Sequence, residues 1–431
     1  MTSRPEQYQK PERVKLTPLT RGEWRLVLML AMINFTHILD FVIVMPLGDQ
    51  LREELHINPR QFGLVVAAYG IFAMLAGVVA SMVIDRFDRK SVLLLSFALF
   101  ALTTVYCGLA PSYEHLLIAR SLAGMCGGVV ASSIMAYIGD VIPAERRGRA
   151  LGVVTSSFAV ASIVGLPIGL TLASAFHHFS APFLAIALLA LCVWILAMWL
   201  LPSLTQHIDR VGKREPWREF IAVVRQPNHL LSFAFMLCMV LATFMIAPYV
   251  ATYMEANCGI HRSTLPWIYG VAGLCSLVFM NFSGWLTDRF GAQPIFLLCA
   301  GCAVVMSLVI TNLPVVTSLT AIAVTSVFIT FASSRIVPAQ SMMIRSADPK
   351  MRGAFMSLNT AVSHLATGVG PVISGLIIGE EFEGGPLTHY WMVGLIAATF
   401  GVIAMTLSFL LQTGPGPEFR AVLVEAPVES I

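Results

Sequence analysis

Charge is what this sequence has least of. Only 12% of its 431 residues are Asp, Glu, Lys or Arg, whereas 57% are hydrophobic, and the mean hydropathy is +0.79. A soluble globular domain is about one quarter charged, so a soluble catalytic domain is excluded. Long alternating strand patterns are missing, which excludes a membrane β-barrel. No GxxxxGK[ST] phosphate loop and no nucleophile–base–acid pattern occurs, so neither an ATPase nor an enzyme is expected. The eight cysteines nearly all fall in apolar stretches, and the CxxC of Cys299 and Cys302 has no His or acid nearby. It reads as packed thiols, and no metal or cofactor is expected.

Long apolar runs are abundant. A helix needs about 20 apolar residues to cross the hydrocarbon core. Twelve such stretches follow one another, from 24–47 to 389–411, separated by breaks such as "DRFDRK", "VIPAERRGRA" and "RSADPKMRG". With both termini placed in the cytoplasm, 22 of the Lys and Arg residues fall on that side and three (Arg52, Arg60 and Arg262) on the other. Basic residues stay inside, so this asymmetry predicts cytoplasmic termini in a cell (inner) membrane. The first apolar run is full spanning length and has no small-residue cleavage site, so a removable signal is not expected. The net charge of +3 fits loops that grip anionic lipid and implies no nucleic-acid partner.

Landmarks repeat at a nearly fixed offset. "IDRF" at Ile84 returns as "TDRF" at Thr287, 203 residues later, and Pro167 and Pro371 are 204 apart. The repeat predicts an all-α membrane protein of twelve transmembrane helices in two homologous six-helix halves; a monomer is expected. The expected divisions are an arm (1–23), a first half (24–201), a linker (202–228) with a short amphipathic helix around "WREFIAVV", a second half (229–411) and a tail (412–431). Such a plan is that of a secondary transporter with its substrate path between the halves.

The segment "SMVIDRFDRK" (Ser81 to Lys90) resembles the G-x-x-x-D-R-x-G-R-K signature of the major facilitator superfamily. It matches at Asp85, Arg86, Arg89 and Lys90, and departs at Ser81 and Asp88. A weaker copy keeps Gly284, Asp288, Arg289 and Gly291. "RSLAG" from Arg120 is similar to the R-x-x-x-G motif of drug:proton antiporters, and "SSRIVPA" in span 10 is similar to sequences of arabinose-efflux-type permeases. Gly165, Pro167 and Gly169 in span 5, with Gly370 and Pro371 in span 11, are similar to the glycine–proline motif of exporters. The resemblance implies a charge latch at Asp85, Arg86, Arg89, Lys90, Asp288 and Arg289, with plain membrane anchoring as the alternative. It also implies that the glycine–proline positions form the seam between the halves, where bland packing is the alternative.

"THILDFVIVMP" (residues 36–46) holds the one acid deep in span 1, Asp40. A central acid costs roughly 2.5–3.5 kcal/mol on insertion scales, so it needs a partner or a function. Counting helical rise from the predicted span ends puts Asp40 about 10 Å and Arg120 of span 4 roughly 8 Å deep, so the two can meet. Asn34, His37 and Asp40 recur every third residue along one helix face. Burial and a nearby guanidinium move a carboxyl's proton affinity in opposite directions, so proton exchange by Asp40, tuned by Arg120 and relayed or oriented by His37, is one reading. A structural ion pair that never titrates is the other. Asn34, Arg335 and His364 are candidates for the substrate cavity, with snorkelling the alternative for Arg335 and a satisfied core histidine for His364. His177, His178, Glu380, Glu381 and Glu383 read as solvated loop residues.

These readings point to a secondary active transporter of small organic compounds, by proton-coupled efflux. An importer of sugars or organic anions, and a non-transporting membrane sensor on the same fold, are the alternatives.

Overall fold

The computed structural model describes residues 19–204, 216–348, 351–382 and 384–412. The arm before residue 19, most of the linker, the tail after 412, Glu383 and the Asp85 side chain lie outside the described residues. Twelve helices are long and apolar enough to cross a membrane. In lipid every backbone group must be satisfied within its own helix, which is why the apolar runs fold this way. Spans 1 to 6 are Arg21–Ile43, Pro59–Val83, Arg89–Gly108, Tyr113–Val141, Arg146–Phe176 and Ser180–Leu200. Spans 7 to 12 are Pro227–Ala256, Arg262–Phe290, Ala292–Ile310, Ser318–Ser346, Arg352–Ile377 and Tyr390–Leu410. An even number of crossings brings both ends of the described chain to one side, here the terminal face; the other is the far face.

Local sequence sets the ends. Thr20 and Glu23 make a capping box at span 1, and Asn58 and Gln61 make another at span 2, where Pro59 sits at a position that needs no N–H. Span 1 stops at Ile43, four residues short of the predicted 47. Pro46 has no N–H to continue the ladder and disfavours helix in the residue before it. The chain turns and starts a separate amphipathic helix, Gly48–Leu55, on the far face. Proline also breaks three later spans. A π-turn at Ala161–Gly165 precedes Pro167 in span 5, a 3-10 turn at Ala247–Tyr249 holds Pro248 in span 7, and span 10 is interrupted at Arg335 ahead of Pro338.

Spans 2 and 4 pack together in the first half, spans 8 and 10 in the second. Two seams join the halves: span 2 against span 11, and span 5 against span 8. The repeat relates span 2 to span 8 and span 5 to span 11, so the seams are copies of each other. Between spans 11 and 12, strands Gly379–Glu380 and Leu387–Thr388 form a small antiparallel hairpin over the far face.

Candidate functional site

Asp40 lies three residues before the end of the span 1 helix and Arg120 seven into span 4. Arg120 Nη1 donates to Asp40 Oδ2 at 2.8 Å and to the Asp40 carbonyl at 3.2 Å. Both side chains are 0% exposed. The long guanidinium stem closes the difference in helical depth. Asp40 Oδ1 and Arg120 Nε and Nη2 have no hydrogen-bond partner among the described residues. Thr104 stands beside Asp40, but its hydroxyl donates to Phe100 O at 3.0 Å. The pair is therefore sealed but only half satisfied.

Tyr69 of span 2 is the lid. Its ring lies over the Arg120 guanidinium, 4.5 Å from centroid to Cζ, a cation–π contact worth up to about 2 kcal/mol when desolvated. Glycines bring span 2 this close. A Cβ at Gly124 would run into the Tyr69 backbone, at Gly127 into Tyr69 Oη and the His37 ring, and at Gly128 into Ala73. The R-x-x-x-G pattern thus supplies a cation at Arg120 and, one turn on at Gly124, the gap through which the aromatic covers it. His37 is 6% exposed, between Tyr69 and Phe100 at ring separations of 6.0 Å each, and neither ring nitrogen has a hydrogen-bond partner among the described residues. Phe41 packs on Tyr69 at 5.2 Å and stacks on Phe244 of the second half at 5.8 Å, closing the site on the seam side.

Of the other candidates, Asn34 and Arg335 bond elsewhere, while His364 is an electrostatic neighbour of His37. Asn34 does not join His37 and Asp40 in a shared pocket: its amide donates to Val154 O at 3.0 Å and ties span 1 to span 5. Arg335 is 3% exposed and reaches inward to Met239 O (2.8 Å) and Thr243 Oγ1 (2.6 Å), so it does not snorkel. His364 is half-buried on the seam, where its carbonyl lies against Gly70 of span 2.

The seam is built from other glycines than those the exporter motif picks out. Gly63 and Gly70 of span 2 meet Pro371, His364, Thr367 and Gly368, and Gly273 of span 8 meets Ser162 and Ile163. Pro167 touches Gly270 and Pro371 touches Gly63, so both prolines do lie on the seam. Gly165 and Gly169 instead make room for Leu39 and Ile43 of span 1, and Gly370 for Phe244 and Met245 of span 7, each inside its own half.

At the terminal face the bonds described for the signature loop stay within the first half. Arg89 pairs with Asp140 at 2.7 Å, and Lys90 donates to Met198 O at 2.9 Å. Arg86, Asp288 and Arg289 are exposed, Arg289 lying over the Trp285 ring. Asp88, the departure from the signature, caps span 3 at Ser91 N (3.1 Å) and accepts from Leu204 N (2.7 Å). On the far face, ion pairs cross between the halves. Arg52 of the Gly48–Leu55 helix pairs with Glu380 at 2.8 Å, and Arg262 with Asp49 (3.0 Å) and Glu53 (3.1 Å). The Glu380 side chain is only 12% exposed, so it is a buried partner of Arg52 rather than a solvated loop acid. Sequence reasoning missed Tyr69 and this network. Its available signal was that Arg52 and Arg262 are two of only three basic residues on that side.

A twelve-helix bundle of two repeated halves, with a charged pair buried beside the seam, is the architecture of a membrane transporter. The Major Facilitator Superfamily profile matches residues 30–334 and 232–428, and the chain belongs to that family. It is 25% identical to the uncharacterized MFS-type transporter YceJ of Bacillus subtilis, over 85% of this chain and 91% of the relative. It is 21% identical to Multidrug resistance protein 2 of the same organism, over 80% and 86%. With Multidrug resistance protein MdtG of Escherichia coli strain SMS-3-5 / SECEC it shares 25% identity over 78% and 84%. In fold it matches the inward-facing, unoccupied bacterial homolog of the human lysosomal transporter Spinster, at a TM-score of 0.72 and 15% identity, over 93% of this chain and all of that one. The D-xylose-proton symporter matches with a TM-score of 0.72 and 15% identity, over 91% and 98%. The protein is a multi-pass membrane transporter of the major facilitator superfamily, not an enzyme.

Proposed function

We propose that the protein exports small organic compounds in exchange for protons, with Asp40 as the proton-carrying residue. The observation that carries this reading is the Asp40–Arg120 pair, fully buried with one carboxylate oxygen unpartnered among the described residues. A purely structural pair would be expected to fill both oxygens, because an unsatisfied buried acceptor costs about 1–3 kcal/mol. The free oxygen is where a proton would add. His37, with both nitrogens open beside Tyr69, is the relay, and Tyr69 shields the pair until span 2 moves.

With the termini in the cytoplasm of a cell membrane, the far face points outward and the structure is closed there. The seam contacts and ion pairs of that face hold the closed state. The signature loop, with Asp288 and Arg289, forms the opposing latch when the terminal face closes in its turn. The names of the multidrug relatives favour efflux. The test is proton movement in sealed proteoliposomes with a pH dye inside: adding an exported compound drives proton flux in wild type and not in Asp40→Asn. Equal flux in both would refute Asp40 as the carrier.

A further inference from the structure

We infer that Arg335 anchors an anionic group on the transported compound, occupying in the second half the place that the Asp40 carboxylate occupies in the first. This rests on the transporter reading and names its substrate class.

The repeat carries the argument. Asp85–Arg86 returns at Asp288–Arg289, 203 residues on, and the same offset takes Asp40–Phe41 to Thr243–Phe244. The fold respects this register, since Phe41 and Phe244 stack on each other across the seam at 5.8 Å and 29°. In each half an arginine from the fourth span reaches this position on the first span. Arg120 finds a carboxylate at 2.8 Å; Arg335 finds the Thr243 hydroxyl at 2.6 Å and the Met239 carbonyl at 2.8 Å. The second half lacks the acid, and its cation is its own: the same offset takes Arg120 to Ala323, so Arg335 reaches Thr243 from a later turn of its span.

No carboxylate lies within ion-pair distance of Arg335 among the described residues, and its Nε has no partner although the residue is only 3% exposed. A guanidinium keeps its charge when buried. Carbonyls at the end of the Ser318–Ser334 helix and at Met239 offset part of that charge, but they carry only partial charges. Asp40, the acid deep in span 1, is committed to Arg120. The missing full negative charge is what a bound anion supplies, and a carboxylate or sulfonate matches the guanidinium fork. Thr243 is half-buried and adjoins Phe244, which stacks on Phe41 across the seam, so the Arg335–Thr243 contact lies next to the boundary between the halves. The Phe41–Phe244 stack beside it suits a flat apolar body. The fitting ligand is a small aromatic or otherwise planar organic acid.

The test is equilibrium binding to the purified full-length protein in nanodiscs, with no gradient. The probes are benzoate and benzenesulfonate, with benzamide and benzylamine as neutral and cationic counterparts. The anions are expected to bind and raise the melting temperature, and the counterparts to do neither. Arg335→Gln should weaken anion binding by at least roughly tenfold, the loss of one charge-assisted contact. Thr243→Asp should do the same by giving Arg335 an internal carboxylate, without lowering the unliganded melting temperature; Thr243→Ser should bind as wild type. The inference is overturned if neither anion binds, if benzamide or benzylamine binds as tightly, or if Thr243→Asp leaves anion affinity unchanged. Asp40→Asn should retain anion binding, so failure of the proton reading and failure of this one are separable.

Discussion

Arg52 and Glu380 come from opposite halves of the molecule, 328 residues apart, and meet at 2.8 Å with side-chain exposures of 2% and 12%. Breaking a buried pair by removing one partner costs about 3–5 kcal/mol. Because this pair exists only while the far face is closed, its loss should shift the conformational balance rather than unfold a half. Arg52→Ala is expected to enrich the far-side-open state by roughly two orders of magnitude, from about 3 kcal/mol. Spin labels at Glu114 and Trp391 in a cysteine-free background read this as a longer distance population. An unchanged distribution would remove the pair from gating.

Glycine positions on the seam should separate from those off it. A Cβ at Gly70 would lie 2.8 Å from Gly368 N and 2.9 Å from His364 O, both backbone atoms that cannot step aside, whereas one at Gly148 meets nothing within 4 Å. Gly70→Ala is expected to cut transport at least about tenfold by blocking closure, the scale of an overpacking penalty of 1–3 kcal/mol. Gly148→Ala should transport as wild type. Initial transport rates at equal membrane abundance decide it.

Arg120→Ala leaves a bare carboxylate in a dry site and should lower stability by about 3–5 kcal/mol. Adding Asp40→Asn removes the stranded charge, so the double variant should recover most of that loss. Melting in one detergent, arranged as a double-mutant cycle, measures the coupling. Additive losses would mean that the two residues do not act as a pair.

Asp88 sets a pH dependence at the terminal face. Burial pushes its carboxyl up, but the hydrogen bonds from Leu204 and Ser91 outweigh that and hold it below the usual carboxylate value of 3.8. A depressed pKa contributes stability that is present above that usual value and lost as pH falls through the lower, folded one. Asp88→Ala should cost about 1 kcal/mol at neutral pH as a lost cap. It should also flatten the acid limb of a melting-temperature profile. A variant with the wild-type acid limb would contradict the assignment.

The twelve spans were legible because each needs only composition and length, and the halves because the repeat is nearly ungapped. Asp40 and Arg120 could be paired from helix counting because both lie near the same ends of their spans, although the helices set them about one turn apart in depth and the guanidinium's reach closes the gap. What could not be read were contacts set by side-chain shape across helices. Tyr69 looks like any apolar-face aromatic until Gly124 and Gly127 place it over Arg120. Asn34 matched its helix face yet bonds to Val154, because periodicity gives direction and not partner. The span 5 glycines showed that a close approach was needed but not to which helix, and Gly165 turned out to face span 1. Glu380 read as a solvated loop acid because a hairpin of two two-residue strands, folding back over Arg52, leaves almost no pattern in sequence.

The measurement that bears most directly on the central claim is pH-gradient-driven accumulation in proteoliposomes, with gradient-free exchange of the same compound as control. For any compound the wild type moves, Asp40→Asn should keep exchange within about twofold. It should lose gradient-driven accumulation by tenfold or more, the scale of one displaced proton-transfer step. Accumulation by Asp40→Asn equal to wild type would contradict the account.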